Sequence, residues 1–379
     1  PNNKQETKLF ETAGVSRFIY NWTIARQKEN YENSGKFITY YTLKKEFTKL
    51  KQTNSFKWLN NYSRHTQVQA IKDACDAYKK FFRGNGCPDF KSKKKSRPSF
   101  YARNDQIQFT DFCVKLEKLT NSKRPNKQKF NWIKLAEKNR VPINSKYYNP
   151  RVTYDGLNWW LSVGIEYPDS EEMPTNEGIG IDLGIKDLAV TSDGYFLKNI
   201  NKTNSIKKLE KNKKRLQRKV SKKYKKNKKG ESYCKTNNIK KLENRLLKLN
   251  RRLTNIRQNY IHQTTSEIIK RKPSFIVMEN LNVRGMMKNK YLSKAIQEQK
   301  FYEFKRQIQY KSTWNNIKFI EADRFFPSSK LCSVCGNIKK DLKLSDRVYK
   351  CECGNVIDRD YQAAINLKMY GENALKSII

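Results

Sequence analysis

Three acidic residues stand where strands or helices should begin or end: Asp182 closes "IGID", Glu279 closes "FIVME", and Asp360 opens "DRDYQAAINL". Short apolar runs bounded by polar residues read as buried strands. The first two acids are therefore expected at the carboxyl ends of strands and the third in the first turn of a helix. Carboxylates held together at buried strand ends are costly to ionise unless a cation neutralises them. Two Mg2+ ions on three carboxylates would activate a water for in-line attack on a phosphodiester and stabilise the leaving oxygen, with no protein nucleophile. Taken singly, Asp182 and Glu279 also suit strand-end turns, and Asp360 suits a helix N-cap. Asp358 is the weaker candidate for the third position. The chain has only two histidines, His65 and His262, and no glycine-rich phosphate loop, which disfavours histidine-centred and NTP-driven mechanisms.

A second constellation is made of cysteines. Cys332 and Cys335 form C-x2-C, and Cys351 and Cys353 form C-x-C, with Gly336 and Gly354 beside the two knuckles. Four thiolates at this spacing fit one tetrahedral Zn2+, although the second knuckle is one residue shorter than usual. Such a site is fully coordinated, so zinc is expected to shape the fold and leave catalysis to the carboxylates. Cys75, Cys87, Cys113 and Cys234 lack pairing spacing, as expected of a reducing compartment.

The elements that must position these groups are legible from patterning. With 379 residues the chain is long enough for several domains. Residues 5–82 carry apolar positions in steps of three or four, including Leu9, Phe18, Ile19, Val68, Ile71 and Phe82, and read as a helical domain. Residues 90–167 change to short alternating runs punctuated by proline, which read as a compact β-barrel-like unit. "IGIDLGIKDLAVTSDGYF" then reads as two tightly joined strands closed by an Asp193-Gly194 turn. Residues 207–229 hold 14 Lys or Arg and one acid, and 239–270 resume a heptad-like pattern, so a basic helical hairpin is expected; a solvated floppy segment is the plainer reading of 221–238. A strand "SFIVMEN", an amphipathic helix over 293–313, a strand "IKFIEAD", the cysteines and a helix over 360–370 complete an α/β alternation. In an RNase H-like arrangement Asp182 would occupy the central first strand. The chain opens on Pro1 and enters a helix at once, which leads us to expect a short preceding piece, such as a strand.

Lys and Arg number 80 against 36 Asp and Glu, a formal charge of +44 that must repel itself unless a polyanion neutralises it. Aromatics at 12% recur along the chain and favour buried cores over a solvated basic polymer. No run of ~18 apolar residues and no signal segment is present, so no membrane partner and a soluble, cytoplasmic location are expected. Nucleic acid is the expected partner.

Together, "GIDLGIKDLAV", "FIVMENLNVRGM", "FPSSKLCSVCG", "YKCECG" and "DRDYQAAINL", in that order, resemble the TnpB family, transposon-encoded relatives of compact type V CRISPR effectors. "SRFIYNWTIARQKENY" and "TQVQAIKDACDAYKKFF" resemble it too, so the likeness spans nearly the whole chain. The resemblance implies a multidomain α/β fold: a helical recognition lobe over 1–88 with a remnant of an N-terminal wedge strand, and a wedge-like β-barrel over 89–172. A RuvC-like core over 173–330 with a basic helical insertion at 203–270, a zinc ribbon over 331–356 and a final RuvC segment over 357–379 would follow. It implies an RNA-guided DNA endonuclease in which Asp182, Glu279 and Asp360 hold two Mg2+ and the four cysteines hold one structural Zn2+. The implied partners are a guide RNA encoded at the transposon end and double-stranded target DNA carrying a short flanking motif. Lys207, Lys208, Lys214, Arg215 and Arg218 are expected on nucleic-acid backbones, and Gln67, Gln69 and Lys72 on flanking-motif base edges. Trp22, Tyr40, Tyr41 and Trp58 suit base stacking but at helical spacing more often form core. One departure is Gln362 where the family commonly has Asn, which would weaken positioning of the last helix without removing a ligand. Two other readings stay open: a nuclease-inactive RNA-guided DNA-binding regulator, against which the intact carboxylates argue, and a guide-free RNase H-like transposase or resolvase.

Overall fold

The computed structural model describes the chain except residues 121, 123, 167, 169–173, 175–176, 344–345 and 377–379. It divides into two compact units, Pro1–Tyr167 and Pro168–Ile379.

The first unit opens on helix α1 (Asn3–Ser34), started by a capping box between Asn2 and Gln5 and ended by Gly35 in the left-handed region. Helices α2 (Tyr40–Leu50) and α3 (Arg64–Phe82) follow. Val15, Ile19, Phe47, Leu59 and Ile71 bury one core among these helices. Leu9 and Ala13, nearer the start of α1, belong instead to a core of strand residues. Those strands are β1 (Ser99–Tyr101), β2 (Gln108–Phe109) and β3 (Cys113–Lys115), then, after a one-turn helix α4 (Pro125–Gln128), β4 (Trp132–Lys134), β5 (Tyr147–Tyr154) and β6 (Trp159–Ile165). They form two antiparallel sheets, β1-β5-β6 and β2-β3-β4. Among the described residues no ladder joins the two, so the structure has paired sheets over a shared core where the sequence suggested a barrel. The strands of the second sheet are only two or three residues long.

The second unit is built on a mixed five-stranded sheet. Strands β7 (Ile179–Leu183), β8 (Asp187–Thr191) and β9 (Phe196–Lys198) form an antiparallel meander. Helix α5 (Asn204–Lys226), a small ribbon of β10 (Lys228–Lys229) and β11 (Ser232–Tyr233), and helix α6 (Asn237–Lys270) come next. The lysine-rich run is thus helical through Lys226 and turns back on a ribbon where a floppy segment was the plainer reading. Near the open end of this hairpin Arg257 on α6 reaches Glu210 on α5 at 3.1 Å and Asn201 at 2.7 Å, a charge-assisted lock.

Strand β12 (Phe275–Glu279) follows, then α7 (Val283–Met286), α8 (Ser293–Gln299), α9 (Phe301–Trp314) and β13 (Lys318–Ala322). The single amphipathic helix expected over 293–313 is broken in two, because Lys300 adopts left-handed backbone with φ 54°. The buried Gln299 side chain before it donates to the Gly184 carbonyl at 3.0 Å, fixing the break against the β7–β8 turn. Strands β14 (Val348–Lys350) and β15 (Val356–Asp358) form a hairpin, and α10 (Arg359–Lys376) ends the fold. Sheet order is β13-β12-β7-β8-β9, with β13, β12 and β7 parallel. One face buries Ile179, Ile181, Ile276 and Met278 against Phe301, Phe304 and Ile308; the other packs Phe275 and Val277 with Leu367 of α10. No helix among the described residues is long and apolar enough to cross a membrane.

Candidate active site

The alternation of side chains along a strand decides where the acids go. Ile179 and Ile181 take one face of the sheet, so Gly180 and Asp182 take the other; Ile276 and Met278 likewise leave Val277 and Glu279 on that other face. Parallel pairing of Met278 with Ile181 makes Asp182 and Glu279 the next residues along the two central strands. Helix α10 lies on the same face. Its approach depends on Gly180, where a Cβ would sit 2.1 Å from the Ala364 carbonyl oxygen and 2.5 Å from the Lys368 amide nitrogen. A glycine two residues before the catalytic candidate is therefore what lets the last helix bring in Asp360.

Asp360 is not the helix N-cap. That part is taken by Asp358, whose Oδ1 accepts from the amides of Asp360 at 3.0 Å and Tyr361 at 3.2 Å. Relieved of capping, Asp360 is 9% exposed and accepts from Arg359 Nη2 at 3.1 Å, with Arg347 at 3.8 Å. Asp182 is also 9% exposed, and no donor among the described residues reaches it. Glu279 accepts a short bond from the Ser328 hydroxyl. Burial, then the charges of Glu279 and Asp360, hold the Asp182 carboxyl well above the usual range against the opposing pull of Arg359. Burial also raises Glu279, with Ser328 pulling down and Asp360 pushing up. The charges of the three acids bear on one another, while among the described residues only the four cysteines already gather closely enough to hold an ion. The three acids that the sequence singled out are thus brought together on one face.

The four cysteines also converge, with all four sulfurs within 4.8 Å of one another. Cys332 and Cys353 Sγ are 3.6 Å apart, as are those of Cys335 and Cys351, close to the ~3.8 Å edge of a tetrahedron with 2.3 Å metal–sulfur bonds. Gly336 and Gly354 turn the knuckles at φ 74° and 89°. Burial pushes the Cys332 thiol up, but the Cys335 amide, Asn355 and further donors outweigh it and bring it down to about 6. Against the pull of the Asn337 and Asn355 amides, Cys335 and Cys353 are pushed up by their neighbouring thiols, and the cluster is a four-cysteine site whose spacing is consistent with zinc.

Sequence reasoning missed the struts between the two sites. Gln362 is fully buried; it donates to the Leu331 carbonyl at 2.7 Å and accepts from Ser333 at 3.0 Å and Asn355 at 3.3 Å. Asn366, one turn on, donates to the carbonyls of Ser328 and Leu331, both at 2.7 Å. Both knuckles and the Glu279-binding Ser328 are therefore tied to the helix that carries Asp360. The Gln362 departure, expected to weaken that helix's placement, is a three-way clamp. Gln362→Leu removes the acceptor of Ser333 and Asn355 and leaves Asn366 as the remaining side-chain donor to the Leu331 carbonyl, and should cost about 1–3 kcal/mol, read as a lower denaturation midpoint, while Gln362→Asn should lose less. The sequence signal for this strut was a polar residue next to Ala363, Ala364 and Leu367 on the buried face of the last helix.

The other named residues divide. Lys207, Lys208, Lys214, Arg215 and Arg218 are exposed on α5, where Lys214, Arg218 and Lys222 line a shallow basic cleft. Lys72 is exposed on α3. Gln67 is not available to a ligand: it is buried and donates to the carbonyls of Leu59 at 2.7 Å and Tyr62 at 3.2 Å, stitching α3 to the turn before it. Gln69 is half-buried and donates to Asp73 at 2.9 Å. Of the aromatics, Trp22 and Tyr40 pack on the helical core whereas Tyr41 and Trp58 are exposed.

Family models match three stretches: residues 1–36 a "Helix-turn-helix domain", here one unbroken helix; 162–290 a "Probable transposase" of the OrfB_IS605 type; and 301–367 a "Cas12f1-like, TNB domain". A Streptomyces pristinaespiralis protein named "Putative RNA-guided DNA endonuclease" is 28% identical over 98% of this chain and 87% of its own length. The Escherichia coli K12 protein "Putative RNA-guided DNA endonuclease InsQ" is 28% identical over 99% and 91%. Among solved structures, the protein in "Cryo-EM structure of the Cas12f1-sgRNA-target DNA complex" superposes with TM-score 0.61 at 15% identity, over 96% of this chain and 82% of that one. That likeness is one of fold, a mixed α/β architecture.

Proposed function

We propose that this chain, which is similar to TnpB-type proteins over nearly its whole length, is an RNA-guided DNA endonuclease whose cutting site is Asp182, Glu279 and Asp360. The observation that carries the reading is the gathering of these three acids from two central strands and the last helix, with Asp182 lacking any donor among the described residues. Two Mg2+ ions, when held there, would supply an activated water and stabilisation of the leaving oxygen. The chain's own part is to keep the acids on one face: Ser328 orients Glu279, Arg359 braces Asp360, and β7 carries Asp182 between them. Burial limits competing water around the carboxylates and strengthens their hold on a cation. Cys332, Cys335, Cys351 and Cys353 would hold one Zn2+ as a structural brace.

Recognition is delegated to base pairing with a guide RNA encoded at the transposon end, next to a short flanking motif on the duplex target. The excess of 80 basic over 36 acidic residues has its polyanion in that RNA and the heteroduplex. Lys207, Lys208, Lys214, Arg215 and Arg218 would hold backbones, and Lys72 would lie near the flanking motif. The helical recognition lobe over 1–88, the wedge over 89–172, the RuvC segments over 173–330 and 357–379 and the ribbon over 331–356 are the division of labour we propose. The test is sequencing of RNA that copurifies with the protein from cells carrying its native locus. One enriched RNA ending in a variable segment is expected, released steeply as salt rises; only heterogeneous RNA would overturn guided recognition.

A further inference from the structure

Next to Glu279 the chain from Ala322 to Lys330 lines a cleft of about 410 Å3 that also reaches Asn280. Its rim is held by three hydrogen bonds. The Asp323 amide donates to the Tyr370 hydroxyl at 3.3 Å, Asp323 Oδ1 accepts from the Phe325 amide at 2.8 Å, and the Ser328 amide donates to the Phe326 carbonyl at 2.8 Å. Two consecutive phenylalanines then meet opposite fates. Phe326 turns inward and packs on Tyr370 at 4.9 Å between ring centroids, while Phe325 is 85% exposed. Single exposed aromatics are ordinary on protein surfaces. This one stands on a braced turn, on the wall of a cleft that contains a carboxylate of the cutting site. Arg324 beside it is exposed and makes no ion pair among the described residues, and Lys330 also lines the cleft.

We propose that this cleft is a base-stacking site: Phe325 receives an unpaired nucleobase of the DNA strand being cut, with Arg324 and Lys330 facing its phosphates. The proposal rests on the endonuclease reading above and adds to it a residue that seats the substrate. Bases inside a duplex are already stacked and cannot reach a phenyl ring, so the site selects single strands. A phenyl ring accepts the π-face of any base, so the seat is indifferent to sequence, as a guided enzyme requires.

The test uses the complete ribonucleoprotein and a single-stranded DNA oligonucleotide carrying 2-aminopurine, whose fluorescence falls on stacking. The native complex and Phe325→Trp should quench it, and Phe325→Ala should lose most of the quenching. In single-turnover cutting of a matched duplex, Phe325→Ala should be about tenfold slower with target binding unchanged, and Phe325→Trp should restore the rate. Because Phe325 is exposed, both variants should melt with the parent. Equal quenching by Phe325→Ala, or a difference seen with an RNA oligonucleotide alone, overturns the proposal. If the parent binds but cuts no matched duplex while Phe325→Ala still loses the DNA quenching, the endonuclease reading fails and the stacking site stands.

Discussion

Asp182→Ala should lower the rate of target cutting by about a thousandfold or more, the size expected when several kcal/mol of transition-state stabilisation are removed, and should leave binding of a matched duplex intact. A companion substitution separates electrostatics from packing. Burial and the neighbouring acids hold the Asp182 proton more tightly in the folded chain than in the unfolded one. Without a cation, its contribution to stability is therefore present in acid, below the unfolded pKa of 3.8, and lost as pH rises through the upshifted titration. Asp182→Asn removes that ionisation penalty, so at neutral pH the metal-free variant should melt a few degrees above the metal-free parent. Added Mg2+ should raise the parent's melting temperature and leave the variant's nearly unmoved. A variant that melts below the metal-free parent, or one that still cuts, would sink the assignment of Asp182 as an unpartnered metal ligand.

Removing the thiolate site should be felt in two places. Cys332→Ser is expected to abolish stoichiometric zinc by elemental analysis and to destabilise the ribbon, since metal binding in such modules supplies about 10–16 kcal/mol of apparent folding free energy. The loss should not stop at the ribbon. Leu331, Ser333 and Asn355 are the partners of Gln362, and Leu331 and Ser328 those of Asn366. Ser328 in turn donates to Glu279. Cutting should consequently fall along with the melting temperature, while guide RNA still copurifies because the basic helices α5 and α6 do not depend on this strut. Unchanged zinc content in Cys332→Ser would remove the tetrathiolate assignment. Unchanged cutting after proven zinc loss would show that the strut does not transmit.

The candidate residues stood out in the sequence because their signals are local. A cysteine pair at knuckle spacing with a following glycine, or an acid closing an apolar run, needs only a few neighbouring letters to be recognised. Strand alternation and helical periodicity likewise placed β7, β12 and α10, since the apolar faces that form the sheet's two cores are written in steps of two or of three and four. The resemblance of the ordered motifs then supplied what no periodicity contains, the guide and its target.

What only the tertiary structure decided lies between elements far apart in sequence. Parallel pairing of β12 with β7 sets Glu279 beside Asp182 across nearly a hundred residues, and the missing Cβ of Gly180 sets the distance of α10. Whether Asp358 or Asp360 caps that helix depended on which side chain found the amides and which found the other acids. Gln67, expected on flanking-motif base edges, and Gln362, expected to weaken placement of the last helix, are polar letters of the same type. Burial beside backbone carbonyls turned both into internal struts. A polar side chain's role is set by which unpaired backbone groups surround it, and that is fixed only when distant segments fold together.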